Sequence, residues 1–331
     1  MKKENMPAVL AGIGMLILIL DTKTAILAVT SGIDLCLKVL IPSLFPFIFL
    51  SVIMTPTLAN KEVRFLRPLG HLMKIPKGAE TIFLIGLIGG YPVGAQCISE
   101  AIKNGSISRE NGKRMLAFCS NAGPSFIFGM GSRLFPKIWM CWALWAIHII
   151  SAILVSMLFP QNTSETAHKA SAKNVDVSAS LQKTVHTMAL ICGWVILFRL
   201  LITFMEHWFL WLFPIWIQTI VVGVLELANG CSSLMNLSEI PLRFILSSAF
   251  FGFGGLCVAM QTYSVCDNQN HSYYLPGKIL QGLISMLIAS IIISREIALP
   301  CAIILTLLLI RIISLHLRKT KNGSIPQKSI V

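Results

Sequence analysis

The sequence is poor in charged residues. Asp, Glu, Lys and Arg together make up 12% of its 331 residues, about half of the roughly 25% found in soluble domains. Apolar runs long enough to cross a bilayer recur from Pro7 to Leu317 instead. The pattern disfavours a soluble protein and predicts an all-α polytopic integral membrane protein with about eight to ten helical segments.

The residue clusters of common enzyme and metal sites are also missing. The nine cysteines show no C-x-x-C spacing, and most lie within apolar segments, where they are typical of small packing residues. No nucleophile–base pair or set of metal ligands occurs, and FGFGG at 251–255 lacks the flanks of a phosphate loop. We therefore expect no enzyme activity, no metal and no cofactor.

The net charge of +13 comes from cations that fall between the apolar segments and at the two ends of the chain. This is the positive-inside distribution of membrane proteins rather than a nucleic-acid-binding face. It predicts the lipid bilayer as a partner and no nucleic acid. The expected location is the bacterial inner (cell) membrane, multi-pass, with both termini in the cytoplasm. Assembly into an oligomer is left open.

Apolar segments alternate with polar connections along the whole chain. The segments lie at about 7–24, 38–55, 81–102, 114–132, 137–159, 186–206, 208–228, 243–262, 276–294 and 297–314. The polar stretch 161–180 lacks large apolar residues and is interpreted as a loop that joins two halves. The N-terminus resembles a signal peptide, but Asp21, Thr22 and Lys23 stand where small residues would mark a cleavage site. We therefore expect an uncleaved first helix.

The two halves share a weak pattern of glycine-punctuated segments. The first contains GLIGGYPVGAQCI (86–98) and RMLAFCSNAGPSFIFG (114–129), and the second contains GVLELANGCSSL (223–234) and RFILSSAFFGFGGLCV (243–258). Interrupted segments at matching positions of two halves point to the binding site of a transporter. We expect two inverted repeats, each with a Gly/Pro-broken re-entrant hairpin and an interrupted helix.

The basic loop 103–114 bears on this topology. If segment 81–102 crossed the bilayer once, the four cations of that loop would lie outside, against the positive-inside rule. A re-entrant hairpin at 81–102 keeps the loop inside, and a second hairpin at 208–235 then enters from the opposite face. Full spans at both places also return the C-terminus to the cytoplasm, so this loop alone distinguishes the two models.

The stretch GGYPVG is the first candidate for a ligand site. Non-helical backbone at membrane depth is tolerated only inside protein or beside a water-filled cavity. At a hairpin tip, Gly90 and Gly94 would supply permissive backbone angles and Pro92 would fix the turn. Tyr91 and Gln96 are then candidate ligand contacts. The alternative is close helix packing through small residues, with Tyr91 as an interfacial aromatic residue.

The stretch CSNAGPSFIFG is the second candidate. Ser120, Asn121 and Ser125 lie around Gly123 and Pro124 in an otherwise apolar segment. Because Pro124 cannot donate a hydrogen bond to the carbonyl four residues back, we expect an unwound turn there. Such a turn would offer hydroxyls, carbonyls and an amide to a small polar ligand. The alternative is a helix–helix hydrogen bond from Asn121.

Glu226 in VVGVLELANGCSS is the strongest single candidate. A carboxylate within a membrane segment is costly and indicates a functional site by default. It could bind a cation, take a proton or accept hydrogen bonds from a substrate, and the alternative is an interfacial Glu near a segment end. Asn229 and Ser232 would lie near the same helix face, and Gln261 completes the polar set. Arg199 could pair with a carboxylate or an anionic substrate, or it could extend to the membrane interface, and His148 has a non-specific apolar helix around it.

These motifs resemble the YlbJ-type family of sporulation integral membrane proteins. The resemblance rests on GGYPVGA, LAFCSNAGPSFIFG, LELANG and FGGLCVAMQ, and runs from LKVLIPSLFPFIFLS at 37–51 to Gln261. It implies the nucleoside-recognition or Gate domain, which is shared with the ferrous-iron transporter FeoB and similar to concentrative nucleoside transporters. Gly89 and Ala228 stand where the family pattern usually has Ser and Thr, so two hydroxyls of that pattern are lost.

The resemblance implies secondary transport of a small polar or anionic metabolite, with dipicolinic acid movement in sporulation as the suggested task. The positions that match the family motifs are Gly90, Tyr91, Pro92, Gly94, Asn121, Gly123, Pro124, Ser125, Glu226, Asn229, Gly230, Gly254, Gly255 and Gln261. A coupling proton or cation would suit such a transporter, and a forespore membrane is one location that fits. The alternative is a non-transporting scaffold or assembly factor in sporulation that retains the fold.

The expected organisation follows from these assignments. The domains are an N-terminal membrane helix and connection (1–36), a first Gate-like repeat (37–160), a polar cytoplasmic linker (161–182), a second Gate-like repeat (183–315) and a basic cytoplasmic tail (316–331).

Overall fold

A computed structural model describes residues 6–58, 63–159, 176–266 and 272–293. The described residues are helical and contain no β-strand. In chain order the α-helices are α1 (Met6–Leu20), α2 (Thr22–Leu35), α3 (Ile41–Leu58), α4 (Arg67–Leu72), α5 (Glu80–Gly89), α6 (Val93–Lys103), α7 (Arg109–Cys119), α8 (Pro124–Leu134), α9 (Ile138–Leu158), α10 (Val177–Trp208), α11 (Ile215–Leu225), α12 (Leu227–Ser233), α13 (Ile240–Phe253), α14 (Gly255–Val265) and α15 (Tyr274–Ile293). The predicted segment 297–314, the tail 316–331 and most of the linker 161–182 lie outside the described residues.

Several helical stretches are long and apolar enough to cross a membrane. They are Thr22–Thr55, Ile138–Leu158, Val177–Trp208, Ile240–Val265 and Tyr274–Ile293. Large apolar side chains also point outward, including Ile19 and Leu20 on α1 and Trp211 after α10. Such a surface is suited to lipid rather than to water. The chain is therefore an all-α polytopic membrane protein, as the sequence predicts.

The interior is formed by α7, α9, α13 and α15, which pack against one another. Phe118, Phe244 and Phe251 are among the largest fully buried side chains. Glycines bring the helices close: a Cβ on Gly277 of α15 would lie 2.5 Å from the Cβ of Ala117 on α7. This dense packing holds the shorter, broken helices in place.

The predicted hairpin 81–102 is formed by α5 and α6, which a turn at Gly90–Pro92 joins. Each helix has 10 or 11 residues, about half of the roughly 20 needed to cross a bilayer. A Cβ on Gly86 or on Gly94 would lie 2.0 or 2.1 Å from the carbonyl oxygen of Cys119. The two arms therefore enclose the end of α7, and only glycine fits at either position.

The other three predicted breaks are also present. The segment 114–132 is divided into α7 and α8 by the non-helical residues 120–123, and 243–262 is divided into α13 and α14 at Gly254. The segment 208–235 contains α11 and α12, with Glu226 in an extended conformation between them. The relation of the two halves as inverted repeats stays a prediction, as do the domain boundaries.

The N-terminal region differs from the expectation. The sequence predicts a first helix at 7–24, a connection through residue 36, and a second helix at 38–55. In the structure α1 ends at Leu20, and α2, a π-helical turn at Cys36–Leu40 and α3 form one continuous helical stretch. The prediction of a non-helical connection between the two helices was therefore wrong. Gly32, within that connection, packs on α10, where a Cβ would lie 3.1 Å from the Cα of Ile196.

Asp21 marks the break between α1 and α2. Its side chain caps α2 by accepting a hydrogen bond from the amide of Thr24 at 3.2 Å. Hydrogen bonds from Thr24 lower the pKa of the Asp21 carboxyl below its ordinary value. This residue, which the sequence analysis used only against a cleavage site, therefore begins the long helix.

Arg114 is not a loop cation as the sequence predicts. It was counted among the cations of a loop, yet it is 2% exposed. Its guanidinium donates hydrogen bonds to the carbonyls of Met73, Lys74, Ser156 and Phe159, at 2.5–3.0 Å. Arg114 therefore joins the segment before α5 to the end of α9, and it contributes little to the positive-inside count.

The hydrogen bonds of Arg114 also help to decide whether segment 81–102 is a hairpin or a full span. Arg114 lies on α7, which follows α6 after a short loop, and it binds the backbone that leads into α5. The start of α5 and the end of α6 thus lie at the same end of the molecule. Ion pairs Arg67–Glu80 and Lys183–Glu100 fasten these two helix ends to neighbouring segments. The arrangement favours a hairpin over a full span at 81–102.

Candidate functional site

The turn of the α5–α6 hairpin packs directly on the break between α7 and α8. Gly90 has a φ of +77°, and a Cβ there would lie 3.0 Å from the backbone nitrogen of Gly123. A Cβ on Gly123 would in turn lie 3.2 Å from the Cα of Gly90. Both glycines are therefore required for the two breaks to meet.

The break between α11 and α12 meets the break between α13 and α14 in the same way. Gly255 has a φ of +82°, and a Cβ there would lie 3.3 Å from both the Gly223 oxygen and the Leu227 nitrogen. Gly254 has a φ of +84°, and a Cβ there would lie 3.2 Å from the ring carbon and the oxygen of the Tyr91 phenol. Tyr91 also donates a hydrogen bond to the carbonyl of Phe251 at 3.4 Å. Through Tyr91, the two pairs of breaks form one contiguous region.

A cavity of about 40 Å³, called the inner cavity below, lies in this region. Of the candidate residues, Tyr91, Gly123, Glu226 and Gln261 line it, together with apolar side chains from α3, α8, α10 and α14. A volume of this size holds a few water molecules, at roughly 10–15 Å³ for each. The structure thus brings together residues from four separate segments that the sequence analysis selected independently.

Glu226 is 2% exposed and caps α12. One carboxylate oxygen accepts a hydrogen bond from the Ala228 amide at 3.0 Å, and the other accepts two from Asn229, both at 2.6 Å. The carboxylate itself therefore occupies the N-terminus of α12. This end of the helix is not open to an anionic substrate, contrary to the general expectation for broken helices.

A larger, more open cavity of about 480 Å³, the outer cavity, lies beyond Asn229. Its charged lining residues are Asp34, Lys38, Arg133, Arg199 and Glu206. Lys38 pairs with Asp34 at 2.7 Å and Arg199 with Glu206 at 3.7 Å. Within the described chain Arg133 is exposed and forms no ion pair. One cation therefore remains available to an anion that enters this cavity.

Asn229 connects the two cavities. Its side-chain oxygen accepts a hydrogen bond from Arg199 at 3.4 Å, and its side-chain nitrogen donates to Glu226. Arg199 lines the outer cavity. Its link to the inner cavity passes through Asn229, which also binds Glu226. Ser232 lines the same cavity, and its hydroxyl donates to the Ala228 carbonyl at 2.9 Å.

The remaining candidates lie outside the cavity linings. Gln96 donates to the Thr187 hydroxyl on α10 at 2.9 Å, Gly94 packs on Cys119, and Pro92 precedes the first turn of α6. The Ser120 and Ser125 hydroxyls are buried and have no hydrogen-bond partner in the described structure. The Thr81 and Thr203 hydroxyls are in the same state, so it is not confined to the candidate site.

Asn121 belongs to a polar network that the sequence analysis missed. Its side-chain oxygen accepts hydrogen bonds from Lys278 at 3.3 Å and from Gln281 at 3.0 Å, both on α15. His148 on α9 belongs to the same network, and its ring nitrogen accepts a hydrogen bond from the Ala122 amide at 3.1 Å. The available signal was a Lys and a Gln three residues apart within an apolar segment.

No family model matches the chain, and no solved structure matches it. The chain is similar to the sporulation integral membrane protein YlbJ of Bacillus subtilis (strain 168), with 22% identity over 305 residues, covering 76% of this chain and 74% of that protein. The likeness and the apolar helices together identify a membrane protein related in sequence to a sporulation protein.

Proposed function

We propose that this protein is a secondary transporter that moves a small anionic metabolite across a bacterial membrane. The observation that carries the proposal is the inner cavity, where four chain breaks meet around Tyr91, Glu226 and Gln261. Irregular backbone at membrane depth is otherwise costly, and transporters use it to bind substrate.

The lining of the inner cavity favours a ligand with hydrogen-bonding groups, and the charge of the outer cavity favours an anion. Tyr91 and Gln261 line the inner cavity with a hydroxyl and an amide beside the Glu226 carboxylate. Three cations, Lys38, Arg133 and Arg199, line the outer cavity against two carboxylates. Their excess positive charge would draw an anion toward Asn229 and the inner cavity.

The family resemblance narrows the substrate. The relative's name connects it with sporulation, and the motif resemblance implies dipicolinate, a small dicarboxylate, as cargo. The same proposal includes a Gate-type fold, two inverted repeats, cytoplasmic termini and a location in a forespore membrane. A driving proton or cation is also part of it.

Substrate binding requires movement of the lining. The inner cavity is too small for a dicarboxylate, so Tyr91 and Gly254 must separate to admit one. Separation on one side and then on the other would give alternating access. Glu226 would then act by holding α12 in place and by presenting Asn229 to the substrate.

The test is uptake of radiolabelled dipicolinate by proteoliposomes that contain the purified protein. We expect uptake by the wild type and a loss of at least tenfold in Glu226→Gln, because the amide cannot accept all three hydrogen bonds. Glu110→Gln, on the exposed start of α7, is the matched control and should transport normally.

Two outcomes would oppose the proposal. Equal uptake by wild type and Glu226→Gln would remove Glu226 from the mechanism. No uptake of dipicolinate or of other small carboxylates by folded protein would favour the alternative of a non-transporting scaffold in sporulation.

A further inference from the structure

Lys278 lies on α15 and is fully buried. Its ammonium nitrogen is 2.7 Å from the side-chain oxygen of Gln281 and 3.3 Å from that of Asn121. The ring of Tyr91 covers it, with the ring centroid 5.2 Å away. Two amide oxygens and an aromatic face thus surround one positive charge inside the membrane domain.

Other hydrogen bonds fix the direction of both amide oxygens. The Asn121 side-chain nitrogen donates to the Phe118 carbonyl at 2.7 Å. The Gln281 side-chain nitrogen donates to the Asn121 oxygen and to the His148 carbonyl, at 3.0 and 3.3 Å. Because each nitrogen is held elsewhere, each oxygen is turned toward Lys278. The oxygens remain oriented by these bonds whether or not the ammonium is present.

No carboxylate neutralises Lys278 within the described part of the chain. The titratable groups that face it are the Cys119 thiol at the end of α7, the His148 ring on α9 and the Tyr91 phenol at the hairpin turn. α13 also packs on α15, and its Ser248 hydroxyl donates to the carbonyl of Ser285, about two helical turns from Lys278. The ammonium is therefore held by oriented neutral dipoles rather than by an ion pair.

Oriented amide oxygens without a counter-charge are the chemistry of a monovalent-cation site. We propose that Asn121, Gln281 and Tyr91 form such a site and that the Lys278 ammonium occupies it as a tethered cation. The wild-type protein then needs no free sodium or potassium ion at this position. Removal of the ammonium alone would open the position to one of these ions.

The occupied site also limits which ion could drive transport, a consequence that rests on the proposed function. The occupied site lies behind Tyr91, which lines the inner cavity. While the ammonium occupies this site, sodium cannot bind there to drive a transport cycle. The existence of the site itself is independent of transport and can be tested by ion binding.

The test uses Lys278→Met in the purified full-length protein. Methionine replaces most of the aliphatic stem and leaves the position of the nitrogen empty. Thermal unfolding in detergent is measured in sodium, potassium or choline chloride at constant ionic strength. We expect the unfolding temperature of the variant to rise saturably, by several degrees, with sodium or potassium but not with choline. Wild type should show no such difference.

Lys183→Met is the matched control, since it makes the same change on α10 at an ion pair with Glu100 outside the network. It should behave like wild type toward the salts. Adding Asn121→Leu to Lys278→Met should abolish the ion response, because it removes one of the two oxygens. No ion-specific response in Lys278→Met, or saturable sodium or potassium stabilisation of wild type, would overturn the proposal.

A second variant keeps the test decisive if Lys278→Met does not fold. Asn121→Asp places a carboxylate against the ammonium and removes the bond to Phe118. If the site holds a cation, the unfolding temperature of Asn121→Asp should be at least as high as that of Asn121→Leu, and a clearly lower value would contradict it. These readouts do not involve transport, so their failure is distinguishable from failure of the uptake experiment.

Discussion

Asn229 donates both its backbone amide and its side-chain amide to the same oxygen of Glu226, each at 2.6 Å. The arrangement makes the Glu226 carboxylate a structural part of the break between α11 and α12 as well as a lining group of the inner cavity. A residue chosen from the sequence for its charge therefore also determines where a helix begins.

Replacement of Glu226 should accordingly affect stability apart from any effect on transport. We expect Glu226→Ala to lower the free energy of unfolding by about 1–3 kcal/mol, through loss of the cap and of buried hydrogen bonds. Urea-induced unfolding in detergent micelles measures the change. Glu110→Ala, at an exposed position, should cost less than about 1 kcal/mol. Equal effects of the two substitutions would show that the cap is unimportant.

Gly94→Ala should be destabilising even though alanine favours a helix over glycine by about 1 kcal/mol. The new Cβ would lie 2.1 Å from the carbonyl oxygen of Cys119, a backbone atom that cannot move alone. Gly129→Ala is the matched control, because a Cβ there meets nothing within 4 Å on α8. The unfolding temperature should therefore be lower than that of wild type in Gly94→Ala and higher than that of wild type in Gly129→Ala. A neutral Gly94→Ala would contradict the close approach of the hairpin and α7.

Arg114→Met should be among the most destabilising substitutions of a cation. It would leave four backbone carbonyls without their donor, at a cost of about 1–3 kcal/mol for each that water cannot reach. Expression and thermal unfolding of the purified protein report the effect. The neighbouring Lys113→Met should be nearly neutral by the same measures. Similar behaviour of the two variants would mean that Arg114 is an ordinary loop cation after all.

Two substitutions of Tyr91 separate its hydroxyl from its ring. Tyr91→Phe loses only a long hydrogen bond to Phe251 and should cost less than about 1 kcal/mol. Tyr91→Leu also removes the aromatic face over Lys278 and the packing on Gly254, so we expect an additional loss of at least about 1 kcal/mol. Chemical unfolding of both variants checks this order. A larger loss in Tyr91→Phe than in Tyr91→Leu would overturn the assigned contacts.

The positions of the breaks could be predicted from the sequence because the cause is local. Gly90 and Pro92, Gly123 and Pro124, and the Gly254–Gly255 pair each place two helix-disfavouring residues within three positions. Their assembly around one cavity was also predicted, from the matching order of motifs in the two halves. The role of these residues in binding stays a prediction.

The network at Lys278 could not be predicted because its members are distant in sequence. Lys278 and Gln281 lie about 130–160 residues from His148 and Asn121, and an apolar segment does not indicate which of its polar residues face inward. Arg114 was misjudged for a related reason: a buried Arg and a loop Arg look alike until the carbonyls around them are known. Similarly, the packing of Gly32 on α10 joins distant parts of the chain and could not be predicted from the local sequence.

The two glycines that enclose the Cys119 carbonyl have a mechanical consequence. With Gly86 on one arm and Gly94 on the other, the α5–α6 hairpin cannot slide along α7 without a backbone collision. Gly223, Gly230 and Phe250 lock α11, α12 and α13 together just as tightly. An opening at the contact of Tyr91 with Gly254 would therefore carry the α5–α6 hairpin together with α7, and α11 together with α12 and α13.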